Sequence, residues 1–335
     1  MSVSAWRRTG TIGLSLVLAA CGGGGAGARS APPSAPTVPT SANTASPSLA
    51  PLGALVARIQ VEDQPDPLSF AFGSLWVGHY QADLVERIDP AHDRVMASIP
   101  TGTSPIDLTP GFGSLWVANY DDNSVSRIDP RTNDVVATIE VGREPEGIIA
   151  AEGAVWAINL LDASLTRIDP GTNEAIAVRD LGGSPFYGSS GFGSLWITNQ
   201  GDDVVQRVDA ITGRVMASIP VDAAPVHTAI GMGSVWVTCY DDGTIVRIDP
   251  ATNGVSASIP VAEGIDGLLV DDGRVWVVGD VDRTIYEIDP DTASVVGRLQ
   301  PGPELRNPAV GSGSLWVAAF GSGEVLRIAA DRSRP

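Results

Sequence analysis

Read at intervals of 40 residues, positions 66, 106, 146, 186, 226, 266 and 306 carry Asp, Ile, Glu, Phe, Val, Asp and Arg. The next column, from 67 to 307, reads Pro, Asp, Gly, Tyr, His, Gly and Asn. Between them they hold four carboxylates (Asp66, Asp107, Glu146, Asp266), the guanidinium of Arg306, the imidazole of His227 and the rings of Phe186 and Tyr187. Converging carboxylate oxygens are the donor set of Ca²⁺ and Mg²⁺, so those four are the candidate metal ligands. On so acidic a chain they also make an ordinary solvated rim. No other repeat carries His at its position, and an imidazole near a carboxylate suits a general base, so His227 is the candidate catalytic residue. Tyr187 offers an apolar wall, and Arg306 is the only cation of the two columns. That combination suits a small-molecule pocket.

A second set of positions faces the same way. It contains His79, Asn119, Asn159 and Asn199, with Tyr80, Tyr120, Gln200, Tyr240 and Asp280 beside them. Tyr120 and Tyr240 join Asp66, Asp107, Glu146, Tyr187, His227, Asp266 and Arg306 as ligand-binding candidates. The pairs Asp121-Asp122, Asp202-Asp203 and Asp241-Asp242 resemble ligands too, but Asp in hairpin turns is selected for its backbone tolerance. A Gly-x-Ser-x-Gly nucleophile motif is absent.

These columns exist because the chain repeats. Trp stands at 76, 116, 156, 196, 236, 276 and 316. Arg keeps the same interval at 87, 127, 167, 207, 247 and 327, broken by Glu287, and Asp follows at 89, 129, 169, 209, 249 and 289. One unit runs from a short inner strand (Glu146 to Ala150) through strands over 154–160 and 164–168 to an outer strand over 175–181. The alternation within each, with Gly- and Pro-rich turns between, predicts four-stranded sheets, hence an all-β, seven-bladed β-propeller. Residues 55–61 match the outer strand 135–141 in phase but have no inner partners, while the chain stops after a third strand at 325–328. The N-terminal strand is therefore expected to complete the last blade and remove its open edge. The expected propeller spans 54–329, with a tail over 330–335.

The Trp196-Ile197-Thr198-Asn199 and Trp116-Val117-Ala118-Asn119 segments, with the later Arg-Ile-Asp-Pro-x-Thr-Asn, resemble the YVTN family of seven-bladed propellers. A more distant similarity extends to streptogramin (virginiamycin B) lyases, in which His and Glu around the central cavity bind Mg²⁺ and remove a proton. That similarity implies a metal-dependent lyase or lactonase built on His227. Where the lyases place Glu after the second strand, this chain has Asn119, Asn159, Asn199 and Cys239, which counts against the carry-over.

Arg7-Arg8 followed by an apolar stretch from Thr11 to Ala20 reads as a signal peptide over 1–20, too short to span a bilayer. Leu18-Ala19-Ala20-Cys21 resembles a lipoprotein cleavage motif, with Cys21 the lipidated residue. Residues 21–53 are the lipidated Cys and a Gly/Ala/Ser/Pro linker, which cannot bury enough surface to offset its ordering entropy. The expected location is the bacterial cell envelope, lipid-anchored outside the cytoplasmic membrane, periplasmic or at the surface. The net charge of −18, with 21 basic residues that are all Arg, argues against nucleic acid.

Three functions are consistent with this reading. The first is a non-catalytic propeller, expected to be a monomer, that binds a small molecule, glycan or extracytoplasmic protein on its loop face. The second is the metal-dependent lyase or lactonase, with Mg or Ca as its cofactor. The third is an envelope assembly scaffold. Blade-invariant residues build the fold in every case, so a site must come from what differs between blades.

Overall fold

The computed structural model describes residues 50–271 and 273–329. The expected signal segment, Cys21, the expected linker up to 49 and the tail from 330 lie outside the described residues. Seven sheets form the ring. Blade 1 consists of Pro65–Ala71, Ser74–His79, Leu84–Asp89 and Arg94–Pro100, and each later blade repeats this antiparallel meander about 40 residues on. Blade 7 has three strands of its own, Leu305–Gly311, Ser314–Ala319 and Glu324–Ala329. Its fourth is Leu55–Gln60, which pairs with the third from Leu55 opposite Ile328 to Gln60 opposite Glu324. The expected closure is what the chain adopts.

Burial follows strand position. The second strand of blade 2, Ser114–Asn119, is buried at every residue because sheets cover both of its faces. The outer strand Asp134–Glu140 alternates toward solvent. Between the first two strands, Phe72-Gly73 and Phe112-Gly113 both take positive φ, the geometry of a tight two-residue hairpin turn.

The repeated Trp and Arg explain how the blades are held together. Trp76 is fully buried among Leu108, Leu115 and Val117 of the next blade. Its indole N–H donates to Ala71 O at 3.0 Å, and the Arg87 guanidinium covers the ring at 4.8 Å. Arg87 Nε donates to Ser74 Oγ at 2.9 Å, while Nη1 donates to Pro130 O at 2.6 Å and Asn133 Oδ1 at 2.9 Å in blade 2. Arg127 and Arg207 make the same clamp onto Pro170 with Asn173 and Pro250 with Asn253. Arg327 carries it across the closure to Pro90 O at 2.8 Å and Asp93 Oδ1 at 2.7 Å. In blade 6 the charges exchange places: Arg274 occupies the Ser position and pairs with Glu287 at 2.7 Å. That exchange accounts for the single interruption of the Arg series.

One element extends past the expected boundary. Ala50–Pro51 pairs in parallel with Gly297 and Arg298 of blade 6, and Leu52 is buried in a cluster with Trp276, Leu305 and Leu326. Leu52, assigned to the linker by composition, thus belongs to the packed unit.

Candidate functional site

The start of each first strand departs from regular pairing, and those departures create the two columns. In blade 5, Pro225 pairs with Cys239 and Thr228 with Val237, leaving Val226 and His227 between them without ladder partners. Blades 1, 4, 6 and 7 shift in the same place, at 65/68, 185/188, 265/268 and 305/308. A bulge re-aims side chains, here those of Asp66, Tyr187, His227, Asp266 and Arg306. In blades 4 and 5 a Thr of the second strand pins the bulge. The Thr198 hydroxyl accepts from Tyr187 N–H at 3.1 Å and donates to Val226 O at 2.8 Å. The Thr238 hydroxyl accepts from His227 N–H at 3.1 Å and donates to Asp266 O at 2.9 Å.

A continuous polar chain results. His227 Nδ1 lies 3.1 Å from Asp266 Oδ1, and the imidazole stacks on Tyr187 at 4.2 Å between centroids. Arg306 Nη1 reaches Asp266 Oδ2 at 3.4 Å and Asp280 Oδ2 at 2.9 Å, and Nη2 reaches Glu304 at 3.4 Å. The face of Phe320 lies 5.0 Å from the same guanidinium. On the next blade, Asn307 Nδ2 donates to Asp66 Oδ1 at 3.1 Å. Phe186 meets Tyr187 edge-on at 4.9 Å and packs with Val226, with Tyr240 against them. Aromatic wall, imidazole and ion-pair chain occupy neighbouring blades.

Asp107 stands across from them. Its two oxygens accept the backbone N–H groups of Leu108 and Ile148, each at 2.8 Å. Burial pushes its carboxyl up to about 6 against those two bonds, with His227 near enough to lower it and Asp66 to raise it. Asp280 also rises to about 6 by burial, partly offset by Arg306. Glu146 is buried beside Tyr120, whose phenol donates to Glu144 at 2.6 Å. Tyr120 packs with Ile106 and Trp116 between blades, so it supports the rim from below. Burial, then the Glu144 bond and nearby carboxylates, raise both its pKa and its role as a fixed donor.

The second set of positions is mostly structural. Asn119 Nδ2 donates to Ser124 and Ser126, and Asn159 Nδ2 to Ser164 and Thr166. Asn199 holds the preceding loop through Ser184 N–H and Gly182 O. His79 is wholly buried, 3.2 Å from Glu86. Asp280 is the residue that the sequence reading undervalued. It occupies the column of Tyr80, Tyr120 and Tyr240, and only its pairing with Arg306 reveals its place.

The four candidate metal ligands do not fit a common ion. Among the described residues, no three His, Cys, Asp or Glu groups are placed to share one. Asp107 spends both oxygens on backbone N–H groups, Asp266 is shared between His227 and Arg306, and Asp66 accepts from Asn307. Arg306 likewise turns toward Asp266 and Asp280 in the blade before it.

No family model and no curated protein sequence matches the chain. Solved structures do. A streptogramin B lyase superposes with a TM-score of 0.72 at 17% identity, covering 81% of this chain and 96% of that one. Hydrazine synthase from Kuenenia stuttgartiensis gives 0.70 at 17%, covering 80% and 96%. A catalytically inactive virginiamycin B lyase from Staphylococcus aureus, solved with quinupristin, gives 0.70 at 15%, covering 82% and 98%. At such identity the likeness is one of fold, and the chain is a seven-bladed β-propeller of the shape that streptogramin B lyase has.

Proposed function

We propose that the protein is a lipid-anchored propeller of the bacterial cell envelope, facing away from the cytoplasm, that binds a small molecule at the channel mouth without turning it over. One observation carries this reading: the bulged residues that differ between blades converge into a stacked Tyr187–His227 pair beside the Asp266–Arg306–Asp280 chain. Such a mixture of a flat apolar surface and a few oriented polar groups is what orients a small ligand. A glycan or an exported protein loop would engage the same groups. Arg306 is a poor probe, because its removal strands two buried carboxylates and destabilises the fold. His227→Ala and Asn307→Ala are better ones. A ligand found by thermal-shift screening should lose at least tenfold in affinity in both variants. Undiminished binding in both would remove the site from the channel mouth.

A second reading is proton abstraction by His227. With Nδ1 engaged by Asp266, the imidazole is held as the Nδ1–H tautomer, leaving Nε2 as a lone-pair acceptor. Because Asp66, Asp107 and Asp266 are engaged elsewhere, this base would act without an ion shared among them. Elimination would transfer a proton from carbon to Nε2 while the carbon–oxygen bond of an ester breaks toward the leaving carboxylate. Ring opening of a streptogramin B depsipeptide by wild type but not by His227→Ala would establish it, and equal inactivity would leave binding as the function.

A further inference from the structure

The two faces of the ring differ in what their turns present. The turns joining first to second strands, and third to fourth, lie on the face opposite the channel mouth. Phe72, Phe112 and Phe192 stand first in the turns between first and second strands of blades 1, 2 and 4, at φ of 53°, 52° and 55°. Asn, Asp or Gly suits such a position, and a bulky side chain is uncommon there. The propeller covers only part of each ring, leaving them 42%, 43% and 46% exposed, so the choice of Phe points outward. Ile211, 66% exposed, lies on the same face in the turn between third and fourth strands of blade 4. Charge is distributed the other way. The loops of the mouth face carry Asp121-Asp122, Asp202-Asp203 and Asp241-Asp242, and their only cations are Arg143 and Arg283. Their exposed apolar residues, Leu161 and Val281, are flanked by Asp162 and by Asp280 and Asp282. On the opposite face Arg131 offsets Asp129 at 2.9 Å, and Arg327 offsets Asp93 at 2.7 Å. The direction of the chain adds a third observation. Ala50–Pro51 runs parallel to Ser294–Leu299, an outer strand that leads from the opposite face toward the mouth. The described chain thus begins by running away from the phenyl-bearing face.

We infer that the phenyl-bearing face lies on the bilayer that carries the chain's own anchor, with Phe72, Phe112, Phe192 and Ile211 at the lipid surface and the channel mouth turned away. The inference rests on the lipid-anchored reading above. Apolar side chains bind a bilayer surface in proportion to the area they bury, and anionic headgroups repel acidic loops. Both effects favour this orientation over its inverse. Four such side chains make a weak contact by themselves. An anchor at Cys21 makes that contact intramolecular, which raises its occupancy without any new interaction. The channel mouth is then left open to solutes.

The test couples residues 21–335 through the Cys21 thiol to a maleimide-bearing lipid in vesicles of phosphatidylcholine and phosphatidylglycerol; Cys239 is buried and does not compete. Joining the lipid chemically separates this test from the anchor itself, which Cys21→Ser tests in cells. Photo-cross-linking from a diazirine-bearing phosphatidylcholine should mark the turns at Phe72, Phe112, Phe192 and Ile211 and leave the loops at Leu161 and Val281 unmarked. The triple variant Phe72→Asn/Phe112→Asn/Phe192→Asn keeps the turns, because Asn123, Asn133, Asn173 and Asn253 already take such φ values in this chain. It should melt cooperatively and lose the marking by about tenfold. Absence of marking at these turns, marking of the mouth loops, or undiminished marking in the folded triple variant would overturn the inference. A dimer of the uncoupled protein that the triple variant abolishes would also overturn it, by giving the face to a second copy of the chain.

Discussion

The two indoles at positions 156 and 196 offer a matched pair for measuring what the indole hydrogen bond is worth. Trp156 is 1% exposed and Trp196 is 0% exposed, and each fills the gap between its own blade and the next. Replacing either with Phe removes the same atoms, so the cavity costs largely cancel in the comparison. The N–H group is what differs. Trp196 Nε1 donates to Gly191 O at 3.1 Å, and losing that bond costs about 1 kcal/mol net. Trp156 Nε1 is buried without a partner, and removing an unsatisfied donor returns about 1–3 kcal/mol. Trp156→Phe should therefore be the less damaging variant by about 2 kcal/mol or more. In a domain of this size that corresponds to a gap of about 4 °C in melting temperature. Scanning calorimetry of both variants at one scan rate reads it directly. Melting temperatures within 1 °C of each other, or a lower value for Trp156→Phe, would refute the account of that bond.

Three further outcomes are expected. Cys21→Ser should release the protein from washed membranes into the soluble fraction, since acyl chains and not an acidic domain supply membrane affinity; persistence in the membrane pellet would count against lipidation. Deleting Leu55–Gln60 should expose the edge of blade 7 and give aggregation or swapped oligomers by light scattering, whereas deleting 29–48 should leave the melting temperature unchanged. Asp107 holds its proton to about pH 6 when folded but only to about 4 when unfolded, so its contribution to stability is whole below pH 4 and is lost as pH rises through 6. Asp107→Asn mimics the protonated form, so its melting temperature relative to wild type should be higher at pH 7.5 than at pH 4, and a difference independent of pH would contradict the burial of that carboxyl.

Blade number, strand order and closure were all legible, because the period of 40 and the phase of residues 55–61 leave one way to seal the ring. That residues of the two columns come together was legible for the same reason: register along the repeat carries register in space. What could not be read was which members touch. Arg306, the only cation of the two columns, turns to Asp280 in the preceding blade, a residue of neither column. Long side chains choose partners across blades, and a column of letters does not encode that choice. The four carboxylates looked like a metal set because composition does not reveal that backbone N–H groups already occupy Asp107. Leu52 was lost in a stretch whose Ala, Ser and Pro content hides one buried anchor.

The closure has a consequence for how the molecule comes into being. Leu55–Gln60 is made before the seven blades, yet its partner Glu324–Ala329 is made after every other strand of the ring, so the ladder joins residues more than 260 positions apart. Loops of that length close slowly, and the closing entropy is recovered only once the partner strand exists. A chain cut short before Glu324 keeps an open edge on blade 7 and lacks the Arg327 clamp onto blade 1. The ring thereby inspects its own length: only a chain translated through its final strand can shut, and every shorter product stays marked by an exposed sheet edge.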